Sequence, residues 1–508
     1  MNFEEIKKLY QQSESEKNYI IGQYTEAARY TMPYMEVYND NTKTVSKKIN
    51  KILSVVLESS LELKNLIMNT MLSSGAEWAS LELDKDTFEQ VSLEIPQITR
   101  SQYNDLNAKL DDYSTKQFKM LADSNFYNAA SKAVVECQNL GTGCIALIEN
   151  DSLINPFSFM YIPINAMFFT EDALGRPAHT FRRFANITSE NVEEIFGITY
   201  EKELPKGFLV ESCIKDGNRY RRILSNEDFT EIIYDEEQDY PAHIVFRWDT
   251  SLSNSYGVGI GMYMIDEFRD LEKYKGLLKE SAELLVNPPL GYFGSIEFMR
   301  KMSFTAGSVS FLGNDKDTGQ VAPLGLGTQL IPIENEIMKI EQTIRDAYIA
   351  QPLGTYTDRG SVSATEVNVR YEMFRNKFSG VYENLSDELL KTVFLSVFKL
   401  LVKKRIFTFD EEYLGMLELR YQNEMTKQLD IKKASDLLKF KNIGDTQFPI
   451  ESKFMIDSMS ILEDVGELMG INGKHVKPQE EATESYVKYM EGIANANAGA
   501  GENTEPTG

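Results

Sequence analysis

The residues Q-P-L-G-T-Y-T-D-R-G-S-V (351–362) are followed by S-A-T-E-V-N-V-R-Y-E-M-F-R-N-K-F-S-G-V-Y-E-N-L-S-D-E-L-L-K-T-V-F-L-S-V-F-K-L-L-V-K-K-R (363–405). The first part is predicted to be a loop and the second one long helix. Ser363 and Glu366 stand three residues apart, the spacing of a capping box at a helix start. Three basic residues at 403–405 close the helix, where positive charge suits the helix dipole.

The predicted long helix carries one apolar stripe in steps of three or four residues, at Phe374, Phe378, Val381, Leu385, Leu389, Val393, Val397 and Leu401. If continuous, it is about 65 Å long at 1.5 Å per residue. Gly380 is a predicted bend, because glycine costs roughly 1 kcal/mol relative to alanine inside a helix. Such a length is typical of a large assembly or of a crossing between domains. The periodicity by itself favours the alternative, a core helix of one large domain.

The composition indicates a large, acidic, globular chain. Its 508 residues predict two to four domains, and 42% hydrophobic residues are ample for a core. The formal charge of −24 disfavours a protein that grips DNA tightly, because most of its surface repels phosphates. It does not disfavour a passage through which DNA slides.

The cysteines and the lengths of the apolar runs indicate the cellular compartment of the chain. Cys137, Cys144 and Cys213 imply no disulfide framework, and the spacing of the first two predicts two small buried residues. The polar start M-N-F-E-E-I-K-K lacks a signal peptide, and no apolar run reaches the ~18–20 residues of a membrane span. We therefore expect a chain that is cytosolic or assembled in a cytosol, with no membrane partner.

The first half of the chain predicts helices and then a β-rich insertion. Helical periodicity covers 1–40, 44–73, 99–122 and 125–140, with a break at Thr31–Tyr34 and a short strand at Trp78–Leu83. A glycine turn leads into a strand within 139–149. Short strands alternate with turns over 156–248, which predicts a small antiparallel sheet set.

The second half returns to helices. A helix begins near G-x-G-x-G (257–261) and ends before Pro288, and 287–334 is predicted to be compact and mostly β or irregular because of its glycines and prolines. Further helices are predicted at 335–350, 422–440, 451–469 and 479–493, followed by a disordered tail at 491–508. The fold class is therefore α+β, mostly helical.

No constellation of residues points to catalysis. The three histidines lie in different segments, and no zinc, nucleophile or phosphate-loop motif is present. The acidic runs 235–239 and 410–412 are predicted to be solvated loops. The basic pairs Arg182-Arg183 and Arg221-Arg222 are predicted to bind local acids rather than phosphate. We thus expect no enzyme, no catalytic residue, no cofactor and no metal site.

Several stretches, in order and over roughly residues 20 to 480, resemble the portal, or head-to-tail connector, of short-tailed (podovirus-type) bacteriophages. They are Y-T-M-P (30–33), the helix followed by G-x-E-W (75–78), S-N-F-Y-N-A-A (124–130), N-L-G-T-G-C-I-A-L-I-E (139–149), S-Y-G-V-G-I-G-M-Y-M-I-D-E-F-R-D-L-E (255–272), V-N-P (286–288), S-V-S-A-T-E-V (361–367), S-G-V-Y-E-N-L-S-D-E-L-L (379–390) and M-G-I-N-G (469–473).

The resemblance implies a portal fold of wing, stem, clip and crown around a central channel, in a ring of twelve copies at one capsid vertex. The implied parts are a wing at 1–253, stem helices at 254–286 and 335–350, a clip at 287–334, a tunnel loop at 351–362, the long wing helix and turn at 363–419, and a crown at 420–490. The order of elements predicted from periodicity agrees with this arrangement.

The resemblance also implies a function and partners. Such a ring is the channel for packaging and ejecting double-stranded DNA and the platform for the large terminase, the major capsid and scaffold proteins and the tail adaptor or nozzle proteins. It is assembled in the host cytoplasm and resides in the virion. Arg359, beside Asp358 and Thr357 on the loop, leads as a channel-facing residue, with Lys339 and Arg345 as weaker ones. The alternative for Arg359 is an ion pair with a neighbouring copy.

Two other classes of protein stay open. A phage DNA-processing enzyme, such as a terminase or nuclease, predicts nucleotide- or metal-dependent activity. A structural tail or scaffold protein without a channel shares the acidic, helix-rich composition, but it predicts no closed ring with a duplex-sized hole.

Overall fold

The fold is known from a computed structural model. It describes residues 2–33, 53–75, 77–83, 100–184, 187–200, 204–205, 207–217, 219–250, 254–293, 305–306, 308–313, 320–323, 331–350, 377, 379–409, 417–421, 424–448, 456 and 458–468. Helices and strands occur largely in separate runs along these residues, as expected for an α+β fold. The chain divides into two compact units, one of Met1–Asn69 and Leu83–Leu417, and one of Thr70–Glu82 and Glu418–Gly508.

The helices are α1 (Phe3–Thr31), α2 (Ser54–Thr70), α3 (Arg100–Asp123), α4 (Phe126–Leu140), α5 (Ser189–Phe196), α6 (Ile260–Tyr263), α7 (Ile265–Val286), α8 (Ile331–Ala347), α9 (Ser379–Asn384), α10 (Thr392–Lys403), α11 (Glu424–Gln447) and α12 (Ser458–Leu468). A 3₁₀ turn covers Ile164–Ala166, and a π-helical segment, Leu385–Lys391, joins α9 to α10. The strands are β1 (Ala79–Leu83), β2 (Thr142–Glu149), β3 (Phe157–Tyr161), β4 (Met167–Glu171), β5 (Pro177–Phe184), β6 (Leu209–Asp216), β7 (Arg219–Asn226), β8 (Ile232–Gln238), β9 (His243–Arg247), β10 (Leu290–Phe293), β11 (Val309–Gly313), β12 (Gln320–Pro323) and β13 (Leu417–Tyr421).

Helix α1 packs against two separate parts of the first unit. A capping box between Asn2 and Glu5 begins the helix, and it ends at Thr31, as predicted from Pro33. Its 29 residues extend about 44 Å. The first turns belong to an apolar cluster with the five-stranded sheet, and the last turns belong to a second cluster with β2 and β9. Helix α1 therefore connects the cores of the two sheets.

The β-rich insertion forms antiparallel sheets, as the sequence predicted, and β2, which precedes it, joins one of them. Strands β4-β5-β6-β7-β8 follow one another in a meander, and β3-β2-β9 form a three-stranded sheet. Strand β2 occupies the centre of its sheet and is buried over seven of its eight residues. This burial fits its unbroken run of small and branched residues.

Three features of the described residues differ from the sequence predictions. The insertion contains a helix, α5, that begins at a capping box of Thr188 with Asn191 and ends at Gly197 in the left-handed conformation. The acidic run at 235–239 was predicted to be a loop, but its first four residues lie in β8, where cross-strand Arg221 pairs with Asp235. Strand β13 was not predicted.

The predicted long helix is described only from Ser379 onward. There it runs as α9, the π-helical segment and α10, and it ends at Lys403, as predicted. The π-helical segment was not expected, because apolar periodicity does not distinguish an inserted residue from a regular turn. The first half, with Ser363, Glu366 and the loop 351–362, lies outside the described residues.

The second unit combines a small sheet and two helices. Strands β1 and β13 form a two-stranded sheet, and helices α11 and α12 pack on each other. These helices confirm the two predicted near 422–440 and 451–469. The helix predicted at 479–493, the tail and the acidic run 410–412 lie outside the described residues.

Candidate functional site

The region of greatest functional interest is a pair of helices with a small sheet between them in sequence. Helix α7 ends before Pro288 and Pro289, strands β10–β12 follow, and α8 comes next. Strand β10 is central, parallel to β11 and antiparallel to β12. The predicted order of helix, compact β unit and helix is confirmed.

Helices α7 and α8 pack side by side within the first unit. Lys275 Nζ of α7 lies 2.7 Å from Glu341 Oε1 of α8, and both side chains are about a third exposed. This ion pair fixes which turns of the two helices face each other. It contributes little stability because solvent screens it.

At the start of α6 and α7, two stretches of backbone cross so closely that only glycine fits. We call Asn139–Gly143 with Gly257–Gly261 the glycine crossing. A Cβ on Gly257 would overlap the carbonyl oxygen of Gly141, and a Cβ on Gly259 would lie 2.5 Å from the Asn139 carbonyl carbon. Gly141 also has φ +95°, which favours glycine.

Hydrogen bonds hold the glycine crossing together. The Gly257 N–H donates to Thr142 Oγ1 at 2.9 Å, and the Tyr24 hydroxyl donates to the Gly257 carbonyl at 2.9 Å. The Trp248 N–H donates to the Gly141 carbonyl at 2.8 Å. The G-x-G-x-G stretch therefore serves close backbone packing, in keeping with the expectation that it is not a phosphate loop.

The chain just after α8 meets the same place through Asn139. The buried Tyr348 hydroxyl donates to Asn139 Oδ1 at 2.7 Å, and Asn139 Nδ2 donates to Ser60 Oγ of α2 at 2.8 Å. Burial raises the pKa of the Tyr348 phenol, which stays protonated as a donor. Both helices of the pair are thus fixed at their ends to the glycine crossing.

A buried arginine holds the π-helical segment. Arg247 is 2% exposed, and its backbone N–H and Nε donate to the two carboxylate oxygens of Glu388 at 2.8 and 3.1 Å. The same guanidinium donates to Glu171 and to the carbonyls of Gly175 and Ser255. One side chain therefore joins β9, the π-helical segment, β4 and two loops.

The structure places two of the five predicted channel residues. Lys339 and Arg345 both lie on α8; Lys339 is exposed and pairs with Glu336 at 2.7 Å, and Arg345 is half-buried in the last turn. Thr357, Asp358 and Arg359 lie outside the described residues.

The paired arginines of the insertion bind local acids, as predicted. Arg183 pairs with Glu14 at 2.5 Å, and Arg221 pairs with Asp235 at 2.6 Å. Arg182 and Arg222 both approach the buried Glu211, at 3.8 and 2.7 Å. Burial raises the pKa of Glu211, but Arg222, His243 and Arg182 together hold that pKa well below its usual range.

Sequence reasoning gave no role to Asn139, Arg247, Tyr348 or Glu388. Asn139 and Glu388 stood in motifs that carried the resemblance, but their partners lie between 79 and 209 residues away in sequence. The one local signal is Glu388 itself, an acid between the apolar positions Leu385 and Leu389.

The described residues contain neither a metal-binding cluster nor a membrane-spanning helix. No group of three or more His, Cys, Asp or Glu side chains among them is arranged to hold a metal ion. No helix in the part that the structure describes has both the length and the apolar character that crossing a membrane requires.

Comparison with known proteins gives a family. A family model described as "Bacteriophage head to tail connecting protein" matches residues 4–442. No curated protein sequence matches the chain. Among solved structures, a chain of the "Virion of native gene transfer agent (GTA) particle" is 11% identical, with a TM-score of 0.38, over 80% of this chain and 89% of that one. At that TM-score we draw nothing from the likeness. The family match covers most of the chain, which therefore belongs to the bacteriophage head to tail connecting proteins.

Proposed function

We propose that the chain is a portal subunit. About twelve copies form a ring at one capsid vertex, and double-stranded DNA passes through the ring during packaging and ejection. The observation that carries the proposal is the helix–sheet–helix unit, held at the glycine crossing, in a chain of the connecting family. A pair of long helices fixed at one end and joined by a small sheet at the other suits a channel wall.

The charge of the helix pair supports this role. Helices α7 and α8 carry ten acidic and six basic side chains, a net charge of 6 − 10 = −4. An acidic wall repels phosphates, so DNA slides past it without adhering. The few cations on the pair supply weak contacts that a ring of copies multiplies.

The remaining segments are assigned by the same proposal. Residues 1–253 form the wing, α7 and α8 the stem, 287–334 the clip, 351–362 the tunnel loop and 420–490 the crown. Arg359, Asp358, Thr357, Lys339 and Arg345 are the proposed DNA-channel residues. The proposed partners are the large terminase, the capsid and scaffold proteins, and the tail adaptors.

The test is a phage that lacks this gene, complemented from a plasmid. Without the chain, we expect heads that contain no DNA, and with it, DNA-filled heads that retain the chain at a ring's copy number. Quantitative mass spectrometry of purified heads gives that number. DNA-filled heads without the chain would favour the tail or scaffold alternative. If packaging requires the chain but the purified heads do not contain it, the DNA-processing enzyme is favoured.

A further inference from the structure

A cavity in the first unit, away from the helix pair, has an unusual lining for so acidic a chain. It measures about 250 Å³ and lies between strands β5, β6 and β9 on one side and the π-helical segment with α10 on the other. Four basic side chains from three parts of the chain line it: Arg176, Lys215, Lys391 and Lys399. We call these four residues the cationic rim.

The carboxylates nearby do not balance the cationic rim. Arg176 and Lys215 share Asp172, at 3.5 and 3.4 Å, and Lys391 pairs with Asp387 at 3.5 Å. Glu388 also lines the cavity, but Arg247 holds both of its oxygens. Four cations therefore have two carboxylates between them.

Lys399 is the least compensated member of the rim. Its ammonium donates to the backbone carbonyl of Asp239 at 3.1 Å, while the Asp239 carboxylate pairs with Arg219 at 3.5 Å. In the part of the chain that the structure describes, no carboxylate lies within 4 Å of Lys399 Nζ. Burial lowers the pKa of Lys399, an effect that a bound anion would oppose.

The inner wall of the cavity is polar and buried. Thr180 Oγ1 lies 3.1 Å from His243 Nδ1, and both residues are at most 5% exposed. Tyr220 also lines the cavity, and no hydrogen bond joins its side chain to another described residue. The opposite wall begins at a π-helical segment, and such segments occur frequently at functional sites.

We propose that this cavity binds a small phosphate-class dianion between the cationic rim and the polar inner wall. The rim would supply charge-assisted hydrogen bonds, and the hydroxyl of Tyr220 would supply a neutral donor. The bound anion would join the insertion to the helix α10, so it would also stabilise their contact. The proposal is independent of any role in conducting DNA.

Isothermal titration calorimetry of the assembled full-length chain with sodium phosphate tests this, with chloride keeping the ionic strength constant. We expect saturable binding that weakens about tenfold or more in Lys399→Met, because a charge-assisted bond is lost. Lys116→Met is the matched control, since Lys116 is exposed on α3 and pairs with Asp112 in an i,i+4 contact. Its affinity should equal that of the wild type.

A second variant and a second ligand complete the test. Lys391→Met changes an exposed rim residue and should also weaken binding. It replaces Lys399→Met in the test if that variant does not fold. Titration with AMP separates the sources: binding that the rim variants weaken indicates a phosphate ester, whereas phosphate binding alone indicates the free anion. Heats that never saturate, or rim variants that bind phosphate as the wild type does, would overturn the proposal.

Discussion

At the scale of single residues, the glycines at 141, 257 and 259 matter because of what they touch. Only Gly141 has a positive φ, so the other two are required by the approach of a second backbone stretch. Backbone atoms fixed by hydrogen bonds on both sides cannot move aside for a methyl group. The glycine crossing is therefore intolerant of the smallest possible substitution.

Gly257→Ala should destabilise the chain by roughly 3 kcal/mol or more, because the new Cβ would overlap the Gly141 carbonyl. Gly22→Ala is the control: Gly22 lies inside α1 with nothing within 4 Å of a Cβ, and the change should stabilise by up to about 1 kcal/mol. Urea unfolding of both variants checks this. Equal unfolding midpoints for the two variants would contradict the role of Gly257 in the close packing of the glycine crossing.

Glu136 predicts a dependence of stability on pH. Its carboxylate is fully buried and accepts a hydrogen bond from the Ile164 N–H at 2.9 Å, and burial raises its pKa from 4.5 to about 8. The folded chain therefore keeps a proton that the unfolded chain releases. The resulting stability is complete below about pH 4.5 and is lost as the pH rises to about 8.

Glu136→Gln removes this titration. Between pH 5 and 8, the free energy of unfolding of the variant should rise relative to that of the wild type by roughly 1.4 kcal/mol per pH unit. Urea midpoints at pH 5, 6, 7, 8 and 9 measure the gain, with the exposed Glu190→Gln as control. A difference between Glu136→Gln and wild type that does not change with pH would show that Glu136 does not titrate in this range.

At the scale of elements, the sequence predicted the features that local residues determine and missed those that distant contacts determine. Pro33 and Pro288 marked helix ends because proline acts on its own turn. The central strand β2 was predicted from its own apolar run. The π-helical segment was missed because Glu388 is positioned by Arg247, 141 residues away. The acidic strand β8 was missed because its register with Arg221 on β7 offsets its low strand propensity.

Two neighbouring acids of the π-helical segment allow a matched experiment. Glu388→Ala leaves the buried Arg247 without its main partner and should cost about 3–5 kcal/mol. Asp387→Ala removes only an exposed i,i+4 pair with Lys391 and should cost under about 0.5 kcal/mol. Chemical denaturation of the two variants compares them directly. Similar losses would mean that Arg247 does not hold this segment.

At the scale of the whole molecule, the composition and the order of the elements and motifs predicted the protein family better than any single site did. The acidic charge pointed away from a tight DNA binder, and the absence of catalytic motifs pointed away from an enzyme. The motifs in order pointed to the connecting family, which the family match confirms. The proposed channel residues could not be tested in the same way, since three of the five lie outside the described residues.

Arg359→Ala tests the channel proposal without disturbing the described fold. The variant should assemble as the wild type does but package or retain less DNA, because each copy loses one cation from the proposed tunnel loop. A complementation assay that counts DNA-filled heads measures this, with Lys116→Ala as the surface control. Normal packaging by an assembled Arg359→Ala ring would contradict the proposed role of Arg359 in the channel.

The most direct test of the portal proposal is native mass spectrometry of the purified chain together with negative-stain imaging. Twelve copies of 57.9 kDa give 12 × 57.9, or about 695 kDa. We expect a closed ring near this mass, with a central hole wide enough for duplex DNA; rings of eleven or thirteen copies would agree with the proposal too. A chain that stays monomeric or dimeric, even when concentrated or mixed with scaffold protein, would contradict it.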